Sequence, residues 1–186
     1  MDITPILQII TIAMTLFLGL VTYYQNKKLQ HGQNIVSVTT KYRGERSEQL
    51  KDAATQLLTN TSAELLKMDI DTDRLFFEAV HASERIGMIL HRNFEADKEL
   101  ICLADSVVKA AVCFKKSLSD EALNELLYLQ ETFRLKCDLY SAAEWNRIKE
   151  ETKGENTTSH SWIEYHERLQ RDFQSEFDRI EETYKR

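Results

Sequence analysis

Residues 5–24, PILQIITIAMTLFLGLVTYY, form a largely apolar run of twenty without a formal charge, whereas the apolar positions that follow recur at helical spacing among polar ones. At 1.5 Å per residue such a run makes a helix about 30 Å long, which matches the hydrocarbon thickness of a bilayer. Pro5 suits the first helical turn, where its missing N–H costs nothing. The chain opens MDIT and leaves the run through Tyr23, Tyr24 and Gln25, so it lacks the positive leader and small-residue cleavage site of a secretory signal. The pattern predicts a retained transmembrane anchor over residues 1–25.

Beyond the anchor the period stays near 3.6. Ile35, Val38, Tyr42, Leu50, Ala53 and Leu57 predict that the anchor continues as a stalk helix over 26–68, with Asn60-Thr61-Ser62 interrupting it or capping a short last piece. A second helix over about 73–93 would bury Phe76, Val80, Ser83, Gly87, Leu90 and Phe94, with Ser83 and Gly87 at a close crossing. A third, over about 97–116, repeats Leu100, Ala104, Val107, Ala111 and Phe114 and, with Ile101 and Val108 beside them, reads as the most buried. Ser119 followed by Asp120 and Glu121 starts a fourth that can exceed thirty residues and carries Leu123, Leu126, Leu127, Phe133, Cys137, Tyr140 and Trp145 inward.

After the loop at 153–158, Ser161 and Glu164 make a capping box for a last amphipathic helix over 159–186. Its partner or bundle face is Trp162, His166, Leu169, Phe173, Phe177, Ile180 and Tyr184. With fewer than about four heptads, core packing is favoured over a coiled-coil seam. The expected fold is all-α: one N-terminal transmembrane helix continuing into a cytoplasmic bundle of about four to five helices, with residues 73–152 as bundle core and 26–186 as one domain.

The anchor has two faces. On a helical wheel Thr4, Gln8, Thr11, Thr15, Gly19, Thr22 and Asn26 fall within an arc of about 80°, opposite Ile6, Ile10, Ala13, Phe17, Leu20 and Tyr24. Small and hydroxylated residues let spanning helices approach closely, and a glutamine in hydrocarbon needs a partner. Gln8, Thr11, Thr15, Gly19 and Thr22 are therefore the candidate membrane-helix contact. The competing reading is that the threonines bond their own backbone.

Charge sets the expected orientation. The net charge of −6 divides as −1 over residues 1–25, +4 over 26–51 and −9 over 52–186. Positive residues stay inside, which predicts a single-pass protein of the cell inner membrane with its N-terminus outside and its C-terminal domain in the cytoplasm. The acidic remainder would repel nucleic acid. One Pro and five Gly among 186 residues agree with helices throughout.

Candidate chemistry is sparse. Cys102, Cys113 and Cys137 are odd in number and set among apolar residues, as buried free thiols of a reducing compartment would be. Glu78 and His81 have the Glu-x-x-His spacing of di-iron bundles, but there is no second copy. Asp69, Asp71 and Asp73 open like a calcium loop that then lacks its Gly and Glu, so capping acids are the better account. His160, Glu164 and His166 have no third ligand at metal spacing and read as surface residues. No glycine-rich phosphate loop or nucleophile elbow occurs. No cofactor, metal site or catalytic residue is expected.

The stretches LGLVTYYQNKKLQHGQNIVSVTTKYRGERSEQLKDAATQLL and LFFEAVHASERIGMILHRNFEADKELICLADSV resemble the bacterial family called domain of unknown function 4760 over about residues 15–115. The shared layout is one span, a Tyr-Gln exit, a basic helix, then Phe76-Phe77-Glu78 ahead of an acidic helix start. The resemblance implies a small bacterial single-pass protein and transfers no functional residue. The expected function is a membrane-anchored helical interaction protein that recruits or relays to a protein partner at the cytoplasmic face, with no catalysis of its own. Its partners would be membrane lipid and either further copies of itself or another membrane or cytoplasmic protein. The alternative is an oligomeric effector that perturbs the bilayer, in a bacterial defence system for instance, and a third reading is a metal-dependent enzyme using Glu78 and His81.

Overall fold

The structure is a computed structural model that describes residues 4–68, 71–90, 94–152 and 159–184. The side chains of residues 4–13, 16, 28–36, 39, 151–152 and 159–162 fall outside that description. The described residues form seven helices and no strand: α1 (Thr4–Asn60), α2 (Ala63–Lys67), α3 (Thr72–Ile89), α4 (Glu95–Ser117), α5 (Asp120–Thr152), α6 (Ser159–Asp172) and α7 (Gln174–Tyr184). The chain divides into two compact units, Met1–Lys41 and Tyr42–Arg186. The first is helix throughout its described residues. The second is a helical bundle made of the last turns of α1 and of α2 to α7.

The bundle grows around α4. Asp97, Leu100, Ala104, Val107, Ala111 and Phe114 recur every three and four residues and all are buried. This seam is covered by α3, α5 and α2. Leu50, Ala53, Ala54 and Leu57 of α1 join the same core, and Leu126, Phe133, Cys137 and Tyr140 close it from α5. α5 itself is surrounded over its second half, because α6 and α7 pack on it beside α4.

The joints follow capping chemistry. Beyond Asn60 the helix breaks at Thr61 and Ser62, and Ser62 caps α2 by accepting from the Leu65 N–H at 3.4 Å, so an interruption and a short capped piece are both present. Asp71 caps α3 by accepting from the Arg74 N–H at 3.2 Å, which is the role capping acids would have; Asp69 lies outside the described residues. Ser119 caps α5 through the Ala122 N–H at 3.2 Å, and that helix runs 33 residues. α4 ends at Leu118 in the left-handed region, φ 50°, with its N–H on the Phe114 carbonyl at 2.7 Å. Glycine is the usual residue there, and Leu118 takes the position with its side chain exposed.

Five expectations need correction. The buried face of α3 is Ala79, Ala82, Ser83 and Ile86, about a fifth of a turn from the predicted one, with Ser83 and Leu90 of the predicted face buried and Val80 exposed. The reason is the small residues: Ala79, Ala82 and Ser83 let α3 lie close to its neighbours, and the Ser83 hydroxyl donates to Asp105 on α4 at 2.7 Å. Gly87 is not part of a close crossing, since a Cβ there would meet nothing within 4 Å. Cys102 and Cys113 are exposed and only Cys137 is buried, because the first two lie about 200° and 220° around α4 from Leu100. Trp145 is exposed beneath the Lys149 ammonium, which stands 5.5 Å from its ring. The last helix is two, α6 and α7, meeting at Phe173, whose N–H still bonds the Leu169 carbonyl at 2.9 Å, so one amphipathic face continues across the joint.

Two substitutions weigh packing against backbone freedom. Gly87→Ala should stabilise the chain by about 0.5 to 1 kcal/mol, since it removes a mid-helix glycine with room for the methyl group. Phe114→Ala should destabilise it by about 3 to 5 kcal/mol, since that ring is enclosed in the core. Denaturant midpoints of the full chain measure both, and a loss of stability at Gly87→Ala would contradict the open space beside it.

Candidate functional site

In the first unit the described part of the apolar run is exposed on both faces. Met14, Phe17, Leu18, Leu20, Tyr23 and Tyr24 are all exposed, and so are Thr15, Gly19 and Thr22. Gln8 and Thr11 have side chains outside the described residues. Thr22 donates its hydroxyl to the Leu18 carbonyl at 2.8 Å, the intrahelical bond that makes a threonine acceptable in an apolar helix. A Cβ on Gly19 would meet nothing within 4 Å, so that position is open to a neighbouring backbone. Among the described residues no helix is long and apolar enough to cross a membrane. The side chains of residues 5–13 and of Leu16, about half of the run, lie outside the described residues.

The predicted C-terminal face packs on α5. His166 and Ile180 are buried, and Leu169, Phe173 and Phe177 are half-buried along the same side; the Trp162 side chain lies outside the described residues. Lys136 of α5 stands 5.2 Å over the Phe177 ring and holds Glu99 of α4 at 2.8 Å. His166 is therefore a bundle residue and not the surface histidine its sequence neighbourhood suggested. Burial lowers its pKa from 6.5, and the nearby Lys136 charge acts in the same direction, against Glu99 and Glu167.

The most unusual chemistry lies where sequence reasoning did not look. On three helices the core seam runs on into charged or hydroxylated residues. On α1 the series Leu57, Ala53, Leu50 continues to Arg46 and Arg43; on α4 Leu100 is preceded by Asp97; on α5 Phe133 and Cys137 are followed by Tyr140, Glu144 and Arg147. Asp97 is only 1% exposed. Arg46 faces it with Nη2 3.6 Å from Oδ2, and the Tyr140 hydroxyl donates to the same carboxylate. Arg147 Nη1 lies 3.9 Å from Glu144 Oε1.

This ionic layer perturbs its own titration. Burial, then the Asp97 charge, raises the Tyr140 pKa and keeps the phenol protonated. Burial also raises the Glu144 pKa, opposed by Arg147, Arg43 and Arg46. One turn away, burial pushes the Cys137 thiol up to about 12, with Asp138 adding to the effect, so it is no nucleophile. The signal that could have found the layer is an interruption of the a/d seam by Arg, Asp and Glu at the same end of three helices.

The remaining candidates do not converge. Glu78 and His81 are exposed on α3, where His81 lies 3.8 Å from Glu84 and stacks edge-on against Phe77 at 4.4 Å. Among the described residues no group of three His, Cys, Asp or Glu side chains could hold a metal ion. A cleft of about 540 Å³ opens between α4 and α5 at Lys109, Cys113, Glu121 and Glu125, without a buried polar group aimed into it. No family model, no curated protein and no solved structure matches this chain.

The lowered His166 pKa gives a signed expectation. A histidine with a depressed folded pKa contributes stability that is whole above 6.5 and is lost as pH falls through the folded value. The unfolding midpoint should therefore fall more steeply below pH 6.5 in the native chain than in His166→Phe. Parallel pH profiles for the two proteins would show that His166 does not titrate against the fold.

Proposed function

We propose that this chain is a membrane-anchored helical interaction protein, with residues 5–24 crossing the bilayer and the bundle of the second unit at its cytoplasmic face. The observation that carries the reading is the contrast between units. In the second, the large apolar side chains at the helix seams are spent on a core, while Met14, Phe17, Leu18, Leu20, Tyr23 and Tyr24 stay exposed in an uncharged run. Leaving one such side chain in water forgoes about 1.5 to 3 kcal/mol, and hydrocarbon removes that cost without a protein partner. The basic segment 26–51 supports an outward N-terminus, and Tyr23 and Tyr24 suit the interface. Helix surfaces, acidic in net charge, are what the bundle offers a protein partner, and the resemblance to small bacterial single-pass proteins agrees with this proposal.

A second reading, an oligomeric membrane effector, is favoured by one feature. Gly19 and Thr15 are one turn apart, exposed, and free of any bulk that would hold a second helix away. One chain supplies one helix, so a bilayer disturbance requires several copies.

Alkaline extraction of native membranes should leave the full chain in the pellet and release it when residues 5–24 are deleted. Recovery of the full chain in the soluble fraction would remove the anchor from the proposal. Co-purification from those membranes should yield a bound protein, and none at all would remove the recruiting role. For the second reading, replacing Gln8, Thr15 and Gly19 with Leu should weaken self-association while insertion persists, because each change makes the run more apolar. Cysteines at Thr11 and Thr15 should crosslink in preference to cysteines at Ala13 and Phe17. Equal crosslinking on both faces would sink the effector reading.

A further inference from the structure

We propose that the ionic layer of Arg43, Arg46, Asp97, Tyr140, Glu144 and Arg147 is a release latch, at which the α1 segment from Tyr42 to about Leu50 parts from α4 and α5 while the rest of the bundle stays folded. The proposal is independent of whether the apolar run enters a membrane.

Three observations lead to it. First, the two ends of the α1 contact are built differently. At the Asn60 end, Gln130 of α5 donates to the Thr61 carbonyl at 2.9 Å and to its hydroxyl at 3.0 Å, and Thr61 donates in turn to the Leu57 carbonyl at 2.8 Å. That polar layer is neutral and its bonds are short. At the other end the Arg46 guanidinium meets Asp97 at 3.6 Å, too long for a direct hydrogen bond, and its Nε and Nη2 are shielded from solvent without a hydrogen-bond acceptor.

Second, the energetics of the two ends differ in kind. Between them Leu50, Ala53 and Leu57 are packed against an apolar core, where separation exposes surface that water penalises. A buried ion pair recovers much of its cost when its members return to water, so parting at this layer rehydrates the buried Asp97 and Glu144 carboxylates and the half-buried Arg46 that faces Asp97. Local opening follows the weakest cooperative unit, and here that is the layer and the turns beside it.

Third, the layer lies at the edge of the second unit, which begins at Tyr42. A parting there needs no rearrangement of α3, α6 or α7. The Thr61–Gln130 clamp, with the Lys115 ammonium on the Leu66 carbonyl at 2.8 Å, holds the far end of α1 and α2 in place, so the hinge falls near Leu50.

Cys137 is a native reporter, being buried one turn from Tyr140 on the same seam. On a Cys102→Ser/Cys113→Ser background of the full chain, its labelling by a thiol reagent is followed against denaturant concentration. The latch requires labelling through an opening whose denaturant dependence is a small fraction of that for global unfolding. Asp97→Asn, which leaves Arg46 facing a neutral group, should accelerate that labelling by about tenfold or more. Arg46→Leu/Asp97→Leu/Tyr140→Phe, which removes the α1–α4 pair together with the phenol that bonds it and leaves Arg147 on Glu144, should slow it. Labelling of the background protein that proceeds only through global unfolding would overturn the proposal, whether or not either variant folds. An unchanged Cys137 rate in a folded Asp97→Asn protein would overturn it as well.

Discussion

Everything in the second unit depends on covering one seam. Residues 97 to 114 of α4 present an inward residue every three or four positions, and a single helix laid alongside cannot enclose them. α5 and α3 take its two flanks, α2 sits over its C-terminal end, and α1 contributes the leucines that complete the enclosure. α5 then becomes the second axis, because a helix of 33 residues outruns its contact with α4 and leaves a face that α6 and α7 cover. The order of the chain is in this sense an order of debts, each helix covering what the one before it left open.

Much of this was legible from spacing. The α4 seam, the Ser119 cap, the length of α5, the interruption at Asn60 and the inward face of the last segment can each be read from residue type and period. Such features are local: a serine oxygen three residues from an N–H, or apolar side chains on one stripe. The break at Phe173 was not legible, because the amphipathic face runs through it without a glycine or proline. The α3 face was misread because large apolar residues were given priority over alanine. Where two helices lie close, the interface selects Ala79, Ala82 and Ser83, and Phe77 and Val80 are left outside.

The charged layer escaped for a different reason. Arg43, Arg46, Asp97, Glu144 and Arg147 look like ordinary solvated residues in any one helix. That Asp97 and Glu144 are buried and the three arginines half-buried emerges only when three seams are extended to the same level, which is a statement about tertiary register. Polar residues at core positions cost stability and narrow the ways in which helices can align. A slip of one turn would bring Arg46 against Leu100 in place of Asp97, so the layer selects the axial position of α1 whenever the helices are together. The chemistry the sequence did advertise, at Glu78 and His81, belongs to an exposed surface of α3, where among the described residues no group of three ligand side chains forms.

The exposed thiols carry a consequence of their own. Cys102 and Cys113 lie on nearly the same face of α4, eleven residues apart, which is about 16 Å along the axis. A disulfide tolerates Cα separations of no more than about 7 Å, so these two cannot pair within one molecule. Cys137 is enclosed and its thiol strongly disfavours ionisation. Under oxidising conditions, covalent bonds from this chain can therefore run only outward, to a second molecule or a small thiol, and two linkable sites per copy are enough to make chains of molecules rather than closed pairs.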